Sequence, residues 1–195
     1  MVVKNIAILF SGSGSNLEAI LEKVHGKVFG DVKIVAKLLI CNKTDAYGIE
    51  RAKKFGLETL IIDSSKFISR EEFDAALVKE IEKNEIDLTV LAGFMRILTH
   101  VFTSKIKAIN LHPSILPLFK GAHAIKESFD SDMAVGGVSV HSVSEELDGG
   151  KIIAQKTFQR NSKTFEEWEE TIHKIEHEIL PKTIINILTN KENNA

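Results

Sequence analysis

The sequence predicts an α/β fold: one domain built on a doubly wound, mostly parallel sheet, with helices on both faces and a Rossmann-like first half. Two observations carry this. Short apolar runs alternate along most of the chain with segments whose apolar residues recur at helical spacing. That βαβα rhythm, punctuated by glycines and helix-capping residues, belongs to parallel sheets whose crossovers are helices.

Ile6 to Phe10 reads as a buried strand, followed by a helix carrying Leu17, Ile20, Leu21 and Val24. Val32 to Cys41 is a second strand. Ala46, Ile49, Ala52 and Phe55 mark a helix that stops at Gly56. Leu60 to Ile62 is a third strand, and Ser69 with Glu72 forms a capping box for a helix bearing Phe73, Leu77 and Ile81. Asp87 to Ala92 and Ala108 to His112 are the fourth and fifth strands. Gly136 to Val143 and Ile152 to Gln159 read as a hairpin-like pair added to the same sheet. Thr164 and Glu167 make a second capping box for a helix running toward Pro181, and a short closing helix reaches Thr189. Residues 1–190 are thus expected to form one domain with a seam near residue 100, and 191–195 a frayed tail.

Composition narrows the function classes. The 195 residues are 44% hydrophobic and 27% charged, ordinary for a globular protein. Net charge is −2 and no Lys/Arg run stands out, so no nucleic-acid partner is expected. The single cysteine, Cys41, lies in an apolar run, which excludes a disulfide framework and fits a reducing compartment. No signal peptide or membrane span is visible, so the expected setting is the cytoplasm and the expected partners are small molecules.

Asn110 and His112 end the fifth strand. Because side chains alternate along a strand, both face one way while Leu111 faces the other. An amide and an imidazole are thereby aimed together at a strand's carboxyl end, where open α/β sheets bind ligands. The loop Ser11-Gly12-Ser13-Gly14-Ser15-Asn16 joins the first strand and helix. It lacks the P-loop lysine, and Leu17 replaces the third glycine of the dinucleotide fingerprint. Phosphate binding at the helix N-terminus and a plain turn with Ser15 as cap are both open to it.

Asp148, in Leu147-Asp148-Gly149-Gly150, also has two readings. It can be simple turn chemistry, or a carboxylate brought to His112 that favours imidazolium and raises the histidine's pKa. His173 and His177 are spaced i, i+4, but Lys174 stands where a zinc-protease helix needs glutamate, so a solvated or supporting role outweighs a metal site. His25, His100, His123 and His141 form no ligand cluster in sequence. Phe94 to Leu98 follows the fourth strand and reads either as core or as the wall of a flat ligand's pocket.

These pieces together resemble the phosphoribosylglycinamide formyltransferases of purine biosynthesis. The matching segments are Ser11 to Leu17, Leu91 to Leu98, Asn110 to Ser114 with Leu116-Pro117, Ser139 to His141, and Glu146 to Gly150. They follow the family's order across most of the chain. The resemblance implies that Gly14, Ser15 and Asn16 hold the phosphate of glycinamide ribonucleotide and that Glu176 is an acidic contact to it. It implies 10-formyltetrahydrofolate as co-substrate, with Arg70, Met95, Arg96, Ile97, Leu98 and Asn110 on the folate side. Asn110, His112 and Asp148 match the family's catalytic trio. No metal is required, and a monomer or weak homodimer is expected. Formyl transfer to another amine, formyltetrahydrofolate hydrolysis and a non-catalytic phosphate-binding module are the competing readings. The chain departs from the family at Phe119-Lys120-Gly121, where many members carry aromatic-Pro-Gly, and in a slightly shorter connection from Leu98 to Asn110.

Overall fold

Ile6 to Phe10 is apolar at every position because both of its faces are covered. In the computed structural model, which describes residues 1–189, Ile6, Ile8 and Phe10 join one core and Ala7 and Leu9 join another. The expected tail, 191–195, lies outside the described residues. The chain order is β1 (Val2–Phe10), α1 (Ser15–Lys23), β2 (Val28–Phe29), β3 (Val32–Cys41), α2 (Gly48–Lys54), β4 (Leu60–Ile61), a 3-10 turn (Ser64–Lys66), α3 (Arg70–Lys83) and β5 (Leu88–Leu91). It continues with α4 (His100–Thr103), β6 (Ala108–His112), α5 (Ala124–Asp130), β7 (Val135–Ser142), β8 (Ile152–Gln159) and α6 (Phe165–Thr189).

These strands make one eight-stranded sheet in the order β2-β3-β1-β5-β6-β7-β8, with β4 beside β3. The pairs β1·β3, β3·β4, β1·β5 and β5·β6 are parallel, while β2·β3, β6·β7 and β7·β8 are antiparallel. The expected hairpin-like addition is therefore β7 and β8. Helices α1 and α6 contribute Leu17, Ile20, Trp168, Ile172 and Leu180 to one face. Phe73, Leu77 and Ile81 of α3 and Phe102 of α4 cover the other. Among the described residues no helix is long and apolar enough to cross a membrane.

The capping box at Thr164 forms in full and the one at Ser69 in half. Thr164 N–H donates to Glu167 Oε2 (2.9 Å) and Glu167 N–H to Thr164 Oγ1 (3.3 Å). Glu72 N–H donates to Ser69 Oγ (3.2 Å), although Glu72 Oε2 reaches back to Ile68 N–H rather than to Ser69. One expectation fails: no break occurs at Pro181, and α6 runs through it from Phe165 to Thr189. A proline here leaves the carbonyl of His177 without its helical donor, and Lys23 Nζ supplies one at 2.7 Å. Ile179, Leu180, Ile184 and Leu188 remain buried on both sides of the proline, so packing holds the helix together. The short elements β2, α4 and α5 lie in stretches that carry no periodic signal of their own.

Strand β3 carries one extra residue against β1, since Ile6 pairs with Ala36 and Ala7 with Leu38. Its other edge is covered by β2 at Val32–Lys33 and by β4 at Ile40–Cys41, leaving a gap between. His25 fills it: its Nδ1 accepts the Ala36 N–H at 3.1 Å. Burial, and then the charge of Lys33, lower the pKa of His25 below the usual histidine value. A base whose folded pKa is depressed stabilises the fold above the unfolded value, near 6.5, and that contribution disappears as pH falls through the folded value. Urea unfolding from about pH 7 to about pH 5 should therefore show a falling midpoint in the wild type. His25→Asn, which keeps an acceptor but cannot titrate, should show a shallower fall; an unchanged slope would remove His25 from this account.

Candidate active site

The chain leaves β1 for β3 and β4 on one side, then returns to β5 on the other. The carboxyl ends of β1 and β5 therefore flank the point where the sheet's winding reverses, the usual ligand crevice of such folds. Ser11, just beyond β1, ties the two sides together. Its N–H donates to Gly93 O (3.1 Å), and its Oγ accepts from Met95 N–H (2.8 Å). Two clefts open here, of about 340 and 480 Å³, and they meet along Gly93, Met95, Leu111, Pro113 and Ala122.

The first cleft contains Asn110, His112 and Asp148. Asn110 and His112 end β6 on one face, as alternation requires. Asp148 arrives from the β7–β8 connection in a left-handed backbone conformation (φ 49°). Its Oδ2 lies 3.4 Å from His112 Nδ1 and accepts Gly121 N–H at 2.9 Å. Its Oδ1 lies 3.5 Å from Asn110 Nδ2 and 3.6 Å from His141 Nε2. The carboxylate is buried, which by itself raises its pKa. The hydrogen bonds from His141 and Gly121 and the charges of His112 and His141 outweigh that and bring it below the usual aspartate value. Asp148 is therefore held ionised although buried.

His112 is 4% exposed and fully engaged. Its Nε2 donates to the Phe119 carbonyl at 2.7 Å, and its Nδ1 faces Asp148, so both ring nitrogens meet acceptors. The departure segment Phe119-Lys120-Gly121 thus acquires a definite form: Phe119 and Gly121 take φ 54° and 91°, and the turn holds His112 with a carbonyl and Asp148 with an amide. Ser114 Oγ donates to Leu118 O (2.6 Å) and steadies the same turn.

The second cleft is built on the serine-glycine loop. Gly14, with φ 74°, is the N-cap of α1, and Ser15 is already helical; the alternative of Ser15 as a side-chain cap is not what forms. A side chain at Gly14 would bring its Cβ to 2.5 Å from Gly48 Cα, so the loop lies flat on the start of α2. From beneath, Gly48 N–H donates to Gly12 O (3.0 Å) and Arg51 Nε to Ser13 O (2.9 Å), with Arg51 also paired to Glu18. The loop's carbonyls are thus held by α2 while its other side borders the cleft, at the positive end of α1. Buried Glu176 lies across from it and accepts from Asn16 Nδ2 (3.3 Å) and His173 Nδ1 (2.8 Å). The bond to Glu176 raises the pKa of His173; burial opposes it, and the charges of Glu176 and Glu169 add to it. Lys43, His123 and Lys126 also border this cleft.

The residues singled out from sequence divide between the clefts. Asn110, His112, Asp148 and Met95 to Leu98 line the first; Gly14, Ser15, Asn16 and Glu176 line the second. Arg70 lies in neither: it borders an adjacent hollow that shares Ile97 and Leu98 with the first cleft. His173 faces the second cleft and belongs to no metal-ligating group among the described residues, and His177 is not among that cleft's residues. Sequence reasoning gave neither His141 nor Ser11 a role of its own at the site. His141 Nδ1 donates to Ser142 O (2.9 Å), and its Nε2 lies 3.2 Å from Asn110 Nδ2 and 3.6 Å from Asp148 Oδ1. Its place on β7 opposite Asn110 is a pairing register, which no local pattern encodes.

Residues 4–184 match the family model described as Formyl transferase. The chain is 43% identical over 154 residues to the phosphoribosylglycinamide formyltransferase of Escherichia coli, covering 77% of this chain and 71% of that one. It is 35% identical to the Bacillus subtilis enzyme of the same name over 95% of each. The crystal structure of phosphoribosylglycinamide formyltransferase from Campylobacter jejuni superposes with a TM-score of 0.95 at 63% identity, covering 96% of this chain and 99% of that one.

The turn that delivers Asp148 contains two adjacent glycines with different tolerances. A Cβ at Gly150 would lie 1.7 Å from the Ser142 carbonyl oxygen, a backbone atom of β7, whereas the atoms nearest one at Gly149 belong to the side chain of Glu146. Gly150→Ala should therefore cost about 2 kcal/mol or more in chemical denaturation, against about 1 or less for Gly149→Ala. Equal costs would contradict this placement of the turn.

Proposed function

The chain belongs to the formyl transferase family, among its phosphoribosylglycinamide formyltransferases, and from that premise we propose the following reaction. The formyl group of 10-formyltetrahydrofolate passes to the amine of N1-(5-phospho-D-ribosyl)glycinamide, a step of de novo purine synthesis. The products are N2-formyl-N1-(5-phospho-D-ribosyl)glycinamide and tetrahydrofolate. The observation that carries this reading is the pair of clefts meeting along a shared wall, with Asn110, His112 and Asp148 in one and a helix N-terminus in the other. A phosphorylated ribose suits the second cleft, where the loop and α1 offer amides and Glu176 offers an acceptor for hydroxyls. A flat pterin suits the first, walled by Met95 to Leu98, with Arg70 placed beyond Leu98 toward an acidic tail. The site draws all of these residues from one chain.

In the proposed step the substrate amine attacks the formyl carbon and a C–N bond forms as the carbonyl oxygen becomes an oxyanion. Asn110 Nδ2 exchanges its long contact with Asp148 for that oxygen. His112 offers it the proton held on the Phe119 carbonyl in the free enzyme. Asp148, kept ionised, balances the charge on His112 and accepts the proton the amine sheds, directly or through water. Collapse breaks the bond to the folate nitrogen, which takes up the amine's proton from Asp148, directly or through water, and leaves the carboxylate ionised again. Holding both substrates at the seam supplies much of the remaining acceleration.

Incubating the protein with both substrates should yield a formylated ribonucleotide detectable by mass; a folded protein giving none would overturn the reading. His112→Ala and Asp148→Asn should each lower kcat by about a hundredfold or more, the scale on which one oxyanion donor or its charge partner acts. Turnover near wild type in either would remove that residue's role. Thermal unfolding should shift upward with the ribonucleotide and with a folate analogue separately. A shift with the ribonucleotide alone would point to a phosphate-binding module.

A further inference from the structure

Met95 to Leu98, the wall of the first cleft, has no regular secondary structure, so its path must be imposed from outside. Its first end is held by Ser11 Oγ through Met95 N–H, and by Phe94, whose ring stacks on Phe73 with centroids 6.3 Å apart. Its other end is held by Asp74. This side chain lies on α3 one turn beyond Arg70 and is 1% exposed. Its Oδ2 accepts from Thr99 N–H at 2.6 Å and from Thr99 Oγ1 at 2.8 Å. Thr99 precedes α4 and makes no side-chain bond to that helix, because its hydroxyl is directed to Asp74. Between the two anchors Arg96 lays its guanidinium over the Phe73 ring, 5.6 Å from the centroid. Two consecutive residues of α3, Phe73 and Asp74, thus hold the residues just before and just after the wall, Phe94 and Thr99, and one within it, Arg96.

A carboxylate in this position is costly. Burial pushes the Asp74 carboxyl above its usual range, the Thr99 donors pull it back, and nearby Glu71 and Arg96 act in opposite directions. Its Oδ1 has no hydrogen-bond partner among the described residues. An apolar residue would fill the same space more cheaply, so the gain must lie in what Oδ2 holds.

We infer that Asp74 is a positioning residue for the folate-side substrate: by clamping Thr99 it sets the path of Met95 to Leu98 and the distance of that wall from Arg70. The inference rests on reading the first cleft as the folate pocket. Asp74 itself touches no substrate.

Calorimetric binding of a stable folate analogue and of the ribonucleotide, with steady-state kinetics, tests this on the full chain. Asp74→Ala should weaken the folate analogue about tenfold, the scale of hydrogen bonds to a charged acceptor. Affinity for the ribonucleotide, and kcat at saturating folate, should stay within about twofold, a split that general destabilisation would not produce. Asp74→Asn, which keeps an acceptor for Thr99, should recover most of the loss. Thr99→Val, which loses the hydroxyl but keeps the amide, should weaken the analogue by roughly two- to fivefold, and it decides the matter if Asp74→Ala does not fold. Unchanged folate affinity in both Asp74→Ala and Thr99→Val, or equal losses for both ligands, would overturn the inference. A wild type that binds no folate analogue removes the reading of the cleft and this inference with it; a wild type that binds, with unaltered variants, removes the inference alone.

Discussion

One buried carboxylate joins the parts of this molecule that would otherwise be independent. Asp148 meets His112 and Asn110 from β6, His141 from β7 and the amide of Gly121 from the loop after β6. A buried charge survives only when its lone pairs are answered, so each of these groups is under constraint to stay where it is. The left-handed backbone of Asp148 and the close approach of Gly150 to β7 are the local strain that delivery of this carboxylate requires. In return, two donors on β6 are aligned and a nearby charge is fixed before any substrate arrives, which is the form electrostatic preorganisation takes.

The second organising feature is the reversal of winding between β1 and β5. It places the serine-glycine loop and the Met95–Leu98 wall side by side, and Ser11 binds both through one amide and one hydroxyl. The two clefts, which the proposed reaction gives to a phosphorylated sugar and to a flat co-substrate, therefore share a boundary by virtue of topology. Each is also supported from behind. Arg51 and Gly48 of α2 hold the carbonyls of the loop, and Phe73 and Asp74 of α3 hold the wall. The residues that set the geometry of the clefts are thus largely not the residues that line them, a division common to sites that must be held within a fraction of an ångström.

Much was legible in sequence because the signals are local. The apolar run of β1, the capping boxes at Ser69 and Thr164, and the placement of Asn110 and His112 on one face follow from periods of 2 and 3.6 residues and from backbone groups that need partners. Pro181 misled for an equally local reason: a proline ends a helix unless something else satisfies the carbonyl it orphans, and Lys23, on a different helix, is not visible in a window of sequence around it. Of the two readings left open for the serine-glycine loop, the cap at Ser15 gave way to Gly14, whose missing Cβ permits both the left-handed conformation and the close approach to Gly48.

By itself the sequence determined the class of fold, the order of most elements, the polar pair at the end of β6 and the small-residue loop before α1. Motif order across most of the chain carried the resemblance to the formyltransferases. Only the tertiary structure decided which distant groups meet: Asp148 with His112 and His141, Glu176 with Asn16, and Asp74 with Thr99. The reason is physical. Local patterns record the period and termini of an element, whereas a turn aspartate has the same neighbours in sequence whether it faces water or an imidazole. What distinguishes the two is strand register and helix packing, settled when the whole core is buried at once.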